Sequence, residues 1–191
     1  ADDDDETPLA IMAKYGRASP KAIRYVLEQT PQDDVWNYRD DEGNTWLHYA
    51  VRNNPNIFNE VLKVYSQATQ IHNRLGLLPL HAAVWKGCQY ASIVEDLLSV
   101  YPEAASIPDR SGYCPLHYAC QEGVDDIHIV HLLIQRAPKI VQQTVWDGSL
   151  PLHLALRRAT VADADANVVT SDVASRILEE YPLAARVRDP Q

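Results

Sequence analysis

The sequence predicts an all-α solenoid of stacked helix–turn–helix units joined by short β-hairpin-like turns. Two observations carry that expectation. A six-residue phrase recurs as Thr45-Trp46-Leu47-His48-Tyr49-Ala50, Leu78-Pro79-Leu80-His81-Ala82-Ala83, Cys114-Pro115-Leu116-His117-Tyr118-Ala119 and Leu150-Pro151-Leu152-His153-Leu154-Ala155. Its histidines stand 33, 36 and 36 positions apart. A fixed period of this size marks one supersecondary unit copied and stacked. After the first three copies comes an apolar run at helical spacing, over residues 57–62, 93–98 and 129–133.

Each unit opens on a turn. Asp40-Asp41-Glu42-Gly43 and Asp109-Arg110-Ser111-Gly112 are Asp-x-x-Gly turns, and Asn73-Arg74-Leu75-Gly76 and Val145-Trp146-Asp147-Gly148 keep the glycine with a changed first residue. Gly43, Gly76, Gly112 and Gly148 are the positions that tolerate positive φ, and a leading aspartate can accept from the backbone that follows. The first helix begins next. Pro79, Pro115 and Pro151 suit its first position, where a missing N–H costs nothing, and Trp46 replaces proline in the first copy. Thr45 is a candidate N-cap, whereas Leu78, Cys114 and Leu150 cap poorly and are expected to rely on packing. Leu47, Leu80, Leu116 and Leu152 point inward.

His48, His81, His117 and His153 admit two readings: a metal or proton-relay column, or imidazoles that bond backbone of their own or a neighbouring unit. Equivalent positions in stacked helices lie roughly 8–10 Å apart. Metal ligands must converge within about 2 Å of one ion. The second reading is therefore expected.

The phrase, its turn and its period resemble the ankyrin repeat, whose signature is T-P-L-H-x-A. The resemblance implies an ankyrin-repeat solenoid of about five repeats, including degenerate or incomplete ends. Gly87 and Gly123 fall where that family ends its first helix. The expected division is an acidic tail at 1–6, a degenerate repeat at 7–39 and repeats at 40–72, 73–108, 109–144 and 145–188. Thr7-Pro8-Leu9-Ala10 opens the degenerate copy, with alanine where the histidine belongs. The last repeat carries an insertion near 159–167, either a helix extension or a loop. Tyr181-Pro182-Leu183-Ala184-Ala185 echoes Tyr101-Pro102-Glu103-Ala104-Ala105, so residues 189–191 read as the start of a further, truncated repeat.

Composition sets bounds. The net charge is −9, of which residues 2–6 supply −5, leaving about −4 for the rest. No basic stripe dominates, so nucleic-acid binding is not expected. No run approaches the ~18 apolar residues that cross a membrane. Cys88, Cys114 and Cys120 form no C-x-x-C pair. Three scattered thiols suit a reducing intracellular compartment, the cytoplasm or an organelle entered with loss of a transit peptide.

Chemistry is not expected. The chain has neither a G-x-x-x-x-G-K loop nor a G-x-S-x-G elbow. Asp125-Asp126-Ile127-His128-Ile129-Val130-His131 could bind a metal weakly, but aspartates also belong at a helix N-terminus. The expectation is no enzyme, no cofactor and no metal.

The resemblance places a partner protein on the turn tips and the open side of each first helix. In the 40–72 repeat these positions are Asp41, Glu42, Asn44, Arg52 and Asn53. The 73–108 repeat offers Arg74, Leu75, Leu77, Trp85 and Lys86. The 109–144 repeat offers Arg110, Ser111, Tyr113, Gln121 and Glu122, and the 145–188 repeat Trp146, Asp147, Ser149, Arg157 and Arg158. Trp, Tyr and Arg dominate binding hot spots. Arginines among aromatics suggest a partner with an acidic patch. The expected function is thus a protein–protein interaction module or scaffold. The alternatives are a regulatory or targeting segment of a larger enzyme and a structural subunit of a large multiprotein complex.

Overall fold

The structure is a computed structural model that describes residues 11–12, 19–31, 38–53, 55–85, 91–123, 126–159 and 166–190. The acidic opening, the Thr7-Pro8-Leu9-Ala10 phrase, Lys86, Gly87, Cys88, Asp125 and residues 160–165 lie outside them, as do the side chains of Arg52 and Asn53.

Helices pair along the chain. α1 (Pro20–Gln29) stands first, with Pro20 at its start and the Ser19 hydroxyl accepting from Ala22 N at 3.2 Å. The first helices of the later pairs are α2 (Trp46–Asn53), α4 (Pro79–Val84), α6 (Pro115–Tyr118) and α8 (Pro151–Ala159). Their partners are α3 (Pro55–Val64), α5 (Ala91–Val100), α7 (Ile127–Arg136) and α9 (Ala166–Glu180). α6 runs on into one π turn, Ala119–Gly123. Among the described residues there is no β-strand.

Apolar faces meet in one continuous core that runs from Ile23 to Ala184. Ile93, Val94, Leu97 and Leu98 of α5 and Ile129, Val130, Leu133 and Ile134 of α7 are buried in the i, i+1, i+4, i+5 pattern of a helix wedged between neighbours. Small residues at Ala50, Ala83, Ala119 and Ala155 keep the inner helices close. Each layer covers its neighbours, so stability is shared between units.

Each second helix ends alike. The N–H groups of Tyr65, Tyr101, Ala137 and Tyr181 close the last helical turn, and a 3-10 turn follows at Ser66–Gln70, Pro102–Ser106, Pro138–Gln142 and Pro182–Arg186. Ala68, Ala104, Ile140 and Ala184 drop from these turns into the core. The echo between Tyr101-Pro102 and Tyr181-Pro182 is this turn. The extra length in the last pair falls partly in α9, which has 15 residues against 10 in α7.

The turns carry the array's lateral bonds. In each, the first N–H donates to the fifth carbonyl, from Asp40 to Asn44, Asn73 to Leu77, Asp109 to Tyr113 and Val145 to Ser149, at 2.9–3.2 Å. Successive turns are then tied tip to tip. Arg74 N donates to Glu42 O at 2.8 Å, Arg110 N to Leu75 O at 3.1 Å and Trp146 N to Ser111 O at 3.2 Å. This is a ladder of hairpin-like turns rather than a sheet. It explains Gly76: its φ is +82°, and a Cβ there would meet Arg110 N of the next rung at 2.8 Å.

Candidate functional site

The histidines fix the frame on which the surface is built. In each first helix the imidazole Nδ1 accepts from the backbone N–H three residues earlier. The donors are Thr45 at 3.1 Å, Leu78 at 3.0 Å, Cys114 at 3.1 Å and Leu150 at 3.0 Å. Because Nδ1 accepts, Nε2 carries the proton and donates to a carbonyl of the following segment. The acceptors are Leu77 O at 2.9 Å, Tyr113 O at 3.2 Å, Gln143 O at 2.9 Å and Val187 O at 3.1 Å. Histidine thus performs at the third helical position the return bond that Glu or Gln makes in a capping box. This corrects the expectation that Leu78, Cys114 and Leu150 leave their helices to packing alone. Burial holds His48, His81 and His117 neutral, with pKa lowered to about 4.

In a second device the leading aspartate accepts from the following backbone, as expected from the sequence, and also from a tyrosine, which was not. Asp109 Oδ1 accepts from Ser111 N and Tyr113 N, each at 2.8 Å, while Oδ2 accepts from the Tyr118 hydroxyl at 2.6 Å. Asp40 repeats the arrangement with Glu42 N, Asn44 N and the Tyr49 hydroxyl. Burial pushes the Asp40 carboxyl up, but the bonds from Tyr49, Asn44 and the backbone outweigh it and leave the pKa below the usual value. Asn73 takes the two backbone N–H groups of its turn and has Ala82, not tyrosine, nine residues on. The signal that would have found the pair is tyrosine nine places after aspartate, at 40/49 and 109/118.

The partner positions divide sharply. Trp146 is 78% exposed and Leu75 is 55% exposed, both on turn tips, with Arg74, Arg110 and Ser111 exposed between them. Asp41 and Glu42 are exposed on the first tip, and Asn44 and Asp147 are half-buried. Leu77 is 3% exposed and Ser149 is fully buried, so neither offers a side chain to a partner. Each is the fifth residue of its turn and accepts from the turn's first N–H, and Leu77 O also accepts from His48. Tyr113 at the foot of the third turn is half-buried; on or just after the inner helices Gln121 is exposed, and Trp85, Glu122, Arg157 and Arg158 are half-buried. Trp85 and Tyr113 are not isolated rings, since both pack against Tyr118, with centroids 5.9 and 5.3 Å away. Arg157 grips Asp189 with two nitrogens, Nε at 2.8 Å from Oδ2 and Nη2 on Oδ1, and reaches Ser149 Oγ at 3.1 Å.

The acidic and histidine cluster has structural partners. Asp126 caps α7 by accepting from His128 N at 2.9 Å, and His128 Nε2 bonds Glu95 of α5 at 2.9 Å. Among the described residues no three His, Cys, Asp or Glu side chains gather in a way that could hold a metal ion. Cys114 and Cys120 are free and buried, and burial pushes the Cys114 thiol up to about 12, far from a reactive thiolate. Among the described residues no helix is long and apolar enough to cross a membrane.

No curated protein matches the chain. Residues 80–166 match the family model of ankyrin repeats in three copies. Ankyrin repeats are in general protein–protein interaction modules and are typically non-catalytic. The matched segment holds the His117 tie whole and most of those of His81 and His153, and the same turn, histidine and lateral bond stand before it at residues 40–77. The match and the repeated geometry support an all-α ankyrin-repeat array.

Proposed function

We propose that the chain is a recognition array that seats a partner protein against its turn tips and inner helices, with no catalytic step of its own. Trp146 supports this most. An indole 78% exposed is costly to keep without a use, and its backbone is pinned to the neighbouring turn through Ser111 O. Leu75 adds apolar area on another pinned tip, with Arg74 and Arg110 exposed beside it. Trp and Arg are hot-spot residues. A preformed row lowers the ordering cost of binding, and guanidinium groups on the tips favour a carboxylate-bearing patch opposite them.

The test is a paired pull-down from native extract with the wild-type chain and a Leu75→Ala, Trp146→Ala double variant of equal helicity. A partner held by the first and lost by the second supports the reading. Equal capture overturns it.

A further inference from the structure

The second helices end on the same residue type except at one joint. Tyr65, Tyr101 and Tyr181 stand where α3, α5 and α9 give way to their 3-10 turns, and α7 ends on Ala137. The three rings pack into or against the core, and the Tyr65 hydroxyl accepts at 3.4 Å from Arg39, just before the turn that opens its repeat. Alanine offers no such ring. An open groove of about 640 Å³ lies at this joint, lined by Ala137, Pro138, Arg136, Lys139 and Gln142 and, from just before the turn at Asp109, by Ser106. That volume is within the range of ligand sites, about 300–1,000 Å³. The charge of the described lining residues has one sign, with Arg136 and Lys139 both exposed and no carboxylate beside them. Among the described residues neither cation makes an ion pair, and neither does Glu103, the acid of the preceding 3-10 turn. Basic residues often end helices, so the charge alone decides little. Its coincidence with the missing ring is particular to this joint. At the others the same flanking positions hold Val64 and Gln67, Val100 and Glu103, and Glu180 and Leu183.

We propose that the groove at Ala137 receives an aromatic side chain of a partner protein, from an acidic segment whose carboxylates meet Arg136 and Lys139. The ring covers the apolar surface that alanine leaves open, and the guanidinium and ammonium groups favour carboxylates beside it. The groove lies at the end of a second helix, so it is a surface separate from the tips and inner helices and goes beyond the reading above.

The experiment is a nitrogen-15 NMR titration of the whole chain with the tripeptide acetyl-Glu-Tyr-Glu-amide. The controls are acetyl-Lys-Tyr-Lys-amide, which keeps the ring, and acetyl-Glu-Ala-Glu-amide, which keeps the charge. Saturable shifts are expected at the amides of Lys139, Gln142 and Gln143 with the first peptide, and much weaker ones with either control. Ala137→Tyr restores the ring found at the other joints and should abolish the response with the fold intact. Lys139→Glu, at an exposed position, should weaken it about twofold to fivefold. No saturable shift at these amides, an equal response to either control, or binding unchanged in either folded variant overturns the proposal. Dimerisation seen by sedimentation and lost in Ala137→Tyr would give the groove to a second copy of the chain and overturn it too. The pull-down with Leu75→Ala, Trp146→Ala reads the tips alone, so either reading can fail without the other.

Discussion

The third and fourth turns share one backbone path and are held by different means. The third begins with Asp109, whose carboxylate takes two backbone N–H groups and the Tyr118 hydroxyl. It is clamped on both sides, by Arg110 N on Leu75 O and by Trp146 N on Ser111 O. The fourth begins with Val145, and only Asp147 answers a backbone donor, Ser149 N at 2.8 Å. On its far side Pro190 packs over Gly148, at the place where the earlier turns present Arg74, Arg110 and Trp146. Proline has no N–H to continue the ladder. The Arg157–Asp189 pair and the bond from His153 to Val187 O hold that side instead. A repeat can therefore keep its geometry while exchanging backbone ladder bonds for exposed charge, and the exchange should show in stability.

The largest expected effect tests what the turns have in common, the imidazole tie. His48, His81 and His117 have a folded-state pKa of about 4 against an ordinary 6.5. The unfolded chain therefore takes up protons first as the pH falls. The stability these groups contribute is present above pH 6.5 and is lost on the way down to about 4. Each contributes a slope of about 1.4 kcal/mol per pH unit, so three give roughly 4 kcal/mol per unit. Urea midpoints measured across this range should fall steeply, and His81→Gln should flatten the fall. A flat profile would mean that the imidazoles are not neutral in the folded chain.

The next effect separates the two turn environments through their glycines. Gly76 and Gly148 have nearly the same positive φ, +82° and +85°. Alanine at either bears the left-handed penalty of about 1–2 kcal/mol. At Gly76 the new methyl would also meet backbone, Arg110 N at 2.8 Å, whereas at Gly148 the nearest atom is a Pro190 ring carbon at 3.7 Å. Gly76→Ala should cost about 2–4 kcal/mol and Gly148→Ala only about 1 kcal/mol, measured by denaturant unfolding. Equal losses would mean that the tip-to-tip ladder does not constrain the second turn.

Much of this architecture was legible because repetition multiplies weak signals. The solenoid followed from spacing, and the turn glycines followed from what positive φ demands. The histidines were legible only as backbone binders; which nitrogen donates and which carbonyl receives depends on the neighbouring unit. Leu77 shows the limit of placing a surface by motif offset, since an offset gives the residue's place in the turn but not what covers it. Tyr118 shows the opposite limit. A tyrosine in the repeated phrase shows no role until the Asp109 carboxylate, nine residues earlier, is brought to its hydroxyl. The aromatic cluster needs Trp85 from one repeat and Tyr113 and Tyr118 from the next, so a reading confined to one repeat cannot assemble it.

The smallest effect contrasts the two aspartates that anchor these turns. Removing the Asp109 carboxylate strands the half-buried Tyr113 N–H and Tyr118 hydroxyl along with the exposed Ser111 N–H, so Asp109→Ala should cost about 1–3 kcal/mol. Asp189 also makes two bonds, but to Arg157 across an exposed edge, with side-chain exposures of 37% and 29%. Exposed ion pairs contribute about 0–1 kcal/mol and are screened by salt. Asp189→Ala should therefore cost under about 1 kcal/mol, and most of that loss should vanish in 1 M salt, where the screening length is about 3 Å. The Asp109→Ala loss should persist at the same salt, because its donors are neutral groups whose bonds do not depend on a distant charge. If high salt erased both losses alike, the third turn would be held by charge as the fourth is, and the distinction drawn between them would fail.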